Sequence, residues 1–242
     1  MTKWRTLKDE RLELHSPIGL RLIDDFTGNA PIGSISAHLE VSDGSGGWRA
    51  TDIKAAPTPS GILAYPGLER RTEVVRKPPR RYRIKLEAEL YRPFYRMIPL
   101  GPVLGPPYYQ ETADGIEFDA SPYNDAYPPT DYSVNPPVEI KLRARDVKLT
   151  PAANYPFTTH VRVLRGKVVD STGKPVVDAQ VKRGNTEQVL SGEQGAFALP
   201  LRWTPNGVAV SIDAIEHRTG RSGTITITLP QALGSNQTIM VS

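Results

Sequence analysis

The stretch Lys167-Val168-Val169-Asp170-Ser171-Thr172-Gly173-Lys174-Pro175-Val176-Val177-Asp178-Ala179-Gln180-Val181 decides the fold, because a version of it occurs twice in the chain. It reads as a strand, a Thr-Gly turn, a proline, and a second strand in which Val177, Ala179 and Val181 alternate with Asp178 and Gln180. The N-terminal counterpart, Leu22-Ile23-Asp24-Asp25-Phe26-Thr27-Gly28-Asn29-Ala30-Pro31-Ile32-Gly33-Ser34-Ile35-Ser36-Ala37, keeps this order with one extra turn residue. In each turn the glycine supplies a backbone conformation closed to other residues, and the proline fixes φ while refusing a ladder hydrogen bond.

The register holds further along. Ser60-Gly61-Ile62-Leu63-Ala64-Tyr65-Pro66 aligns without a gap on Gln194-Gly195-Ala196-Phe197-Ala198-Leu199-Pro200. Then Tyr82, Ile84, Leu86 and Ala88 alternate with Arg83, Lys85 and Glu87, as Val208, Val210, Ile212 and Ala214 alternate with Ala209, Ser211 and Asp213. Period-two patterning means strands with one buried and one exposed face. The expected closing strands are Val138 to Leu142 in the first copy and Thr224 to Leu229, or Gln237 to Val241, in the second. Asn206-Gly207 adds a hairpin signal. Helical propensity is confined to Thr6–Leu14, which Pro17 would stop.

Composition agrees. The chain has 242 residues with 38% hydrophobic and 23% charged, ordinary for a globular protein, and its 23 Pro, nearly twice the usual ~5%, disfavour long helices. No Cys is present, so disulfides, thiolate metal sites and a Cys nucleophile are excluded. The polar start, Met1 to Arg11, does not read as a signal peptide, and no apolar run reaches the ~18 residues of a membrane span. The expectation is therefore synthesis and assembly in the cytoplasm, with the cell surface, reached without a recognisable signal peptide, as the alternative.

The predicted organisation is an N-terminal arm (1–16), a first β-sandwich (17–146), a linker (147–159) and a second β-sandwich (160–242). Residues 91–137 form an insertion in the first unit and hold ten of the 23 Pro and seven of the ten Tyr. Gly115-Ile116-Glu117-Phe118-Asp119 is expected to be a short strand inside it. So proline-rich a segment suits an ordered contact surface, with tyrosines burying large areas at small entropic cost.

Arg165 to Leu201 resembles the carboxypeptidase regulatory-like, or transthyretin-like, domains. The resemblance is carried by Gly166-Lys167-Val168-Val169-Asp170, Thr172-Gly173-Lys174-Pro175, Ala179-Gln180-Val181 and Gly195-Ala196-Phe197. It covers the second half directly and the first half only through the internal repeat. It implies an all-β protein of two tandem Greek-key β-sandwiches, and it implies accessory, non-catalytic modules. Such domains also resemble decorations on structural proteins of phage tails and contractile injection systems. The chain departs from the family after Gly61, where the basic stretch and then the Pro/Tyr insertion replace a short connection.

No catalytic, cofactor or metal site is expected. His15, His38, His160 and His217 stand at least 23 positions apart, without metal-ligand spacing. Asp24, Asp25 and Asp170 precede the turns in both copies, so capping of backbone N–H groups explains them better than a calcium site or a carboxylate pair. Asp43-Gly44-Ser45-Gly46-Gly47 reads as a hairpin tip, because no Lys-Ser/Thr pair follows to make a phosphate loop. No Gly-x-Ser-x-Gly elbow occurs.

The strongest electrostatic feature is the run Arg70, Arg71, Arg76, Lys77, Arg80, Arg81, Arg83 and Lys85, against the single carboxylate Glu73. Tyr82 should point inward, out of reach of bases, and a net charge of +4 is small for a nucleic-acid binder, so an acidic protein partner is favoured. The sequence thus points to a non-enzymatic structural or adaptor protein touching the structural proteins of a large assembly or further copies of itself. The expected contacts are Trp4 and Leu7 on the arm, Arg81, Arg83 and Lys85 on the basic strand, and Tyr95, Tyr108, Tyr109 and Tyr127 in the insertion. An exposed sheet edge could accept a partner strand. The alternatives are a cell-envelope module binding glycan or peptide through the Tyr-rich loop, and an enzyme accessory domain.

Overall fold

A computed structural model describes residues 16, 18–66, 68, 80–93, 109–112, 114–120, 130–131, 138–139 and 144–242. The first half contributes β1 (Gly19–Asp24), β2 (Ile35–Ser42), β3 (Trp48–Ala50), β4 (Ala56–Pro57), β5 (Ile62–Ala64), β6 (Arg80–Ala88), β7 (Tyr91–Pro93), β8 (Tyr109–Thr112), β9 (Gly115–Ala120), β10 (Thr130–Asp131), β11 (Val138–Glu139) and β12 (Ala144–Pro151). The second contributes β13 (Val163–Asp170), β14 (Gln180–Arg183), β15 (Glu187–Leu190), β16 (Ala196–Pro200), β17 (Ala209–Glu216), β18 (Arg221–Thr228) and β19 (Gln237–Val241), with one 3-10 turn at Gln231–Gly234. The protein is all-β: among the described residues there is no α-helix, and no helix long and apolar enough to cross a membrane.

Each half has two main sheets, and their strand orders repeat. The first half has β4-β5-β1-β12-β7 and β3-β2-β6-β9-β8; the second has β16-β13-β19 and β15-β14-β17-β18. Laid on one another, β5-β1-β12 matches β16-β13-β19, and β3-β2-β6-β9 matches β15-β14-β17-β18. In each case the first strand of the half pairs in parallel with its last long strand, Leu22 opposite Val147 and Val168 opposite Ile239. The first half adds β4, β7 and β8 at sheet edges, and β10 pairs only with β11.

The alternation predicted for the strands is the alternation of burial. Leu20 and Leu22 from β1 and Val147 and Leu149 from β12 meet Leu39, Ile84, Leu86 and Ile116 from the other sheet in one core. Leu164, Val168, Phe197, Ile212, Ala214, Ile227, Ile239 and Val241 make a separate core in the second half. At roughly 1.5–3 kcal/mol for each large apolar side chain removed from water, these two clusters dominate the stability of their halves.

Three expectations are corrected. The closing strand of the first half is Ala144–Pro151, not Val138–Leu142, of which only Val138–Glu139 is described as strand. Residues 147–151, read as the start of a linker, therefore lie inside a sheet. Val176 rather than Val177 is buried, at 4% against 40% exposure, because Asp178 takes a left-handed φ of 57° and breaks the alternation before β14 begins. Val208, expected on the inner face, precedes β17 and is half exposed. The strand expected at Gly115–Asp119 is present as β9 and sits between β6 and β8. The region 91–137 thus supplies β9, the counterpart of β18, along with β7, β8 and β10. The helix expected at Thr6–Leu14 lies outside the described residues.

Gly173 and Gly195 both have left-handed φ, 82° and 69°. A Cβ on Gly173 would meet nothing within 4 Å, whereas one on Gly195 would stand 2.3 Å from the Val168 carbonyl oxygen. Gly173→Ala is expected to cost about 1 kcal/mol, the conformational penalty alone. Gly195→Ala should cost about 3 kcal/mol or more, because the hairpin must also move off β13. Urea unfolding that gave equal losses would contradict this placement.

Candidate functional site

On β6 the alternation turns Tyr82, Ile84 and Leu86 into the core and Arg81, Arg83 and Lys85 outward, as predicted. The antiparallel register then places Glu40 of β2 directly opposite Arg83. Its carboxylate accepts from Arg83 Nε at 2.8 Å, lies 2.6 Å from Arg83 Nη2, and takes Lys85 Nζ at 2.9 Å. The Trp48 ring of β3 closes over the guanidinium, 4.5 Å from its carbon. Although burial acts to raise it, the Glu40 carboxyl is held below its ordinary value by hydrogen bonds from Lys85 and Arg83. The expectation of Arg83 as a contact cation is corrected: its side chain is only 10% exposed, engaged within its own sheet. Lys85 keeps 41% exposure, and Arg81 is exposed.

Of the other expected contacts, Tyr109 lies in β8 with its backbone opposite Phe118. Trp4, Leu7, Tyr95, Tyr108 and Tyr127 lie outside the described residues. His38, His160 and His217 each meet a neighbouring polar side chain, at 3.1, 3.2 and 2.9 Å. Among the described residues no three metal-ligating groups converge.

The two turn aspartates do cap backbone. Asp170 Oδ1 accepts from the Thr172 amide at 2.8 Å, the Thr172 hydroxyl at 2.7 Å and the Lys174 amide at 3.0 Å. Asp24 does the same for the amides of Phe26 and Thr27 and the Thr27 hydroxyl. Unlike Asp170, it is buried, at 1% exposure, and its Oδ2 also accepts from Tyr155 Oη at 2.8 Å and Tyr91 Oη at 3.3 Å. Tyr91 comes from β7 and Tyr155 from the segment after β12, so a carboxylate in the first turn ties down both ends of the first half. Phe26, Tyr91, Tyr155 and Phe157 pack edge-on around it.

This aromatic group is also where the halves meet. Arg202, just after β16, lays its guanidinium 3.8 Å from the centre of the Phe26 ring, and its Nη2 donates to the Phe26 carbonyl. Arg165 Nη1 donates to the Ala153 carbonyl at 3.0 Å, and ion pairs join Arg92 to Asp178 at 3.6 Å and Arg218 to Asp114 at 3.4 Å. Arg202 is positioned by Glu187, a buried carboxylate whose Oε1 accepts from the amides of Arg202 and Trp203 and whose Oε2 accepts from Arg183. The sequence reading missed Arg202, Trp203 and Glu187. The visible signal was a Trp in the turn-rich run Arg202-Trp203-Thr204-Pro205-Asn206-Gly207, where no core position is expected.

Burial, then the hydrogen bond to the Asp24 carboxylate, pushes the Tyr155 hydroxyl well above the ordinary phenol range; burial also raises Tyr91, and Tyr65 to about 12. A raised value means the neutral phenol is favoured by folding, so this stabilisation is complete below about pH 10 and is lost as pH rises above it. In a 295 nm titration these three tyrosines should ionise only with alkaline unfolding. Tyr155→Phe should cost about 1.5–3 kcal/mol, as for a hydrogen bond to a charged group, and should flatten the stability loss above pH 10. Arg202→Ala should cost about 0.5–1 kcal/mol, as for a cation–π contact at an exposed site, and leave the halves melting in two resolved calorimetric steps.

No family model matches the sequence, and no curated protein matches it. Among solved structures, the Bacillus anthracis TIE protein is similar over 94% of this chain and 33% of its own, with 13% identity and a TM-score of 0.24. The pilus adhesin SpaC from Lactobacillus rhamnosus GG, in its open conformation, is similar over 93% of this chain and 31% of its own, with 15% identity and a TM-score of 0.19. The chain thus spans about a third of the length of each. Neither likeness carries an argument about fold or function.

Proposed function

We propose that the chain is a non-enzymatic structural or adaptor protein, made of two tandem transthyretin-like β-sandwiches of the carboxypeptidase regulatory-like kind, that holds partner proteins in a larger assembly. The observation that carries this reading is the Arg202 clamp. A guanidinium stacked on Phe26 and bonded to its carbonyl, flanked by Arg92–Asp178 and Arg218–Asp114, joins the two repeats by contacts that oppose their independent motion. Stiffness between units is what a spacer needs, since it fixes the distance between surfaces at opposite ends; repeats joined by a free linker would not. Three carboxylates largely withdrawn from solvent are consistent with this role. Asp24, Glu40 and Glu187 are each engaged in holding backbone or strand neighbours together.

The finer reading places the protein in a phage-tail-like or contractile injection particle assembled in the cytoplasm, with the second unit starting near residue 160. The first unit runs to Phe157, which packs on its core. Affinity purification from native lysate, followed by size-exclusion chromatography with light scattering and mass spectrometry, tests it. Recovery in a megadalton particle with tube, sheath or baseplate-like proteins is the expected result, with weaker incorporation of Arg202→Ala. A monomer that brings down no protein overturns it.

A further inference from the structure

Trp203 is the most exposed large hydrophobic side chain among the described residues, at 73%, on a backbone held by a buried acid. Its amide donates to Glu187 Oε1 at 3.1 Å, on a carboxylate only 4% exposed. The Arg202 amide shares that oxygen, the Arg202 side chain is committed to Phe26, and Thr204 on the other side is fully buried. A buried acid therefore holds an indole out in solvent at a fixed position. Packing does not account for it, and a rigid aromatic presented this way costs little entropy when something covers it.

Beside the indole lies an open cleft of about 80 Å³ between the two halves, lined by Asp25, Pro151, Thr186, Gln188 and Pro200 among others. Its carboxylates are paired, and the Arg202 guanidinium on its wall lies on the Phe26 ring and donates to the Phe26 carbonyl. Asp25 Oδ1 takes Lys148 at 2.9 Å, and Glu187 takes Arg183 at 3.2 Å. Hydrogen-bonding capacity is nevertheless left over. Gln188 Oε1 accepts from Gln180, which leaves its Nε2 donors, and among the described residues no hydrogen bond engages the Thr186 hydroxyl or Asp25 Oδ2. A site with one flat apolar wall, a rim of hydrogen-bonding groups, carboxylates already paired with cations and an arginine already committed to Phe26 is a poor trap for a free ion. Nor does it offer the several aromatic ridges that a polyproline helix needs. It complements a neutral ring with an apolar C–H face and a hydroxyl edge.

We propose that the Trp203 cleft is a saccharide-binding site, in which one pyranose ring stacks on the indole and its hydroxyls bond Thr186, Gln188 and Asp25. The site is independent of the assembly role proposed above, since it needs only the two halves joined as they are.

The test uses the whole chain and follows the indole N–H resonances by NMR during titration with chitotriose, maltotriose, cellotriose and lactose, and separately with decaproline. The Trp203 signal is assigned by its loss in Trp203→Phe. The expected result is a saturable shift of the Trp203 resonance with at least one sugar, weakened at least tenfold in Trp203→Ala and about threefold or more in Gln188→Ala. Trp48→Phe should bind unchanged, because that ring covers Arg83. Trp203→Ala should keep its thermal midpoint, as the side chain it removes is exposed; were it to unfold, Gln188→Ala decides the matter. No shift with any of the four sugars, affinity left unchanged by Trp203→Ala or by Gln188→Ala, or a response to decaproline alone would each overturn the proposal.

Discussion

A strand that pairs in parallel with a later strand cannot reach it through a tight turn; the chain between them has to cross over. Both halves of this protein are built on that constraint. β1 lies parallel to β12 and β13 parallel to β19, so nearly everything between the paired strands must be accommodated elsewhere. It is accommodated as the other sheet of the half plus antiparallel neighbours of the parallel pair, β16 in the second half and β5 and β7 in the first, with β4 beyond β5. Once the first and last strands are paired, the inward residues of the intervening strands have one place to go. Each half then closes its own core, and the only large demands left are at the turns and at the seam between halves.

The two copies of the first turn show how one local device acquires different duties. Asp170 and Asp24 each bond a following Thr through both its amide and its hydroxyl. Asp170 remains at the surface, 3.7 Å from Arg221, with its carboxyl held below the usual range chiefly by the Thr172 hydroxyl. In the first half, β7 and the segment after β12 bring Tyr91 and Tyr155 over the equivalent position. The carboxylate is buried there and gains two phenol donors. A buried carboxylate needs such partners, and the turn it holds presents Phe26 to Arg202 of the other half. The seam is thus an outgrowth of the turn that starts the first unit.

Charge follows similar logic. The basic run looked like a surface for an acidic partner, yet Arg83 and Lys85 share Glu40 on the adjoining strand. Nothing in the spacing of Glu40 and Arg83 along the chain announces the pairing. It exists because antiparallel register sets them opposite each other, and because Trp48 lies close enough to cover the guanidinium.

The sequence by itself determined the class of fold and the repeat. Alternation of apolar and polar residues and left-handed glycines at matching turns are local properties, and Gly28, Gly61, Gly173 and Gly195 all take the conformation their turns require. It did not determine which of two similar segments closes the first half. Val138-Glu139-Ile140-Lys141-Leu142 and Val147-Lys148-Leu149 carry the same period, and the choice of partner for β1 is a long-range competition that periodicity cannot rank. Pro151, which suggested a linker, is tolerated because it ends its strand. The Asp24–Tyr155 bond, the Glu40–Arg83 pair, the Arg202 clamp and the Trp203 cleft were decided only by tertiary structure. Each joins residues far apart in the chain, and their chemistry comes from burial and direction, which no single stretch of sequence encodes.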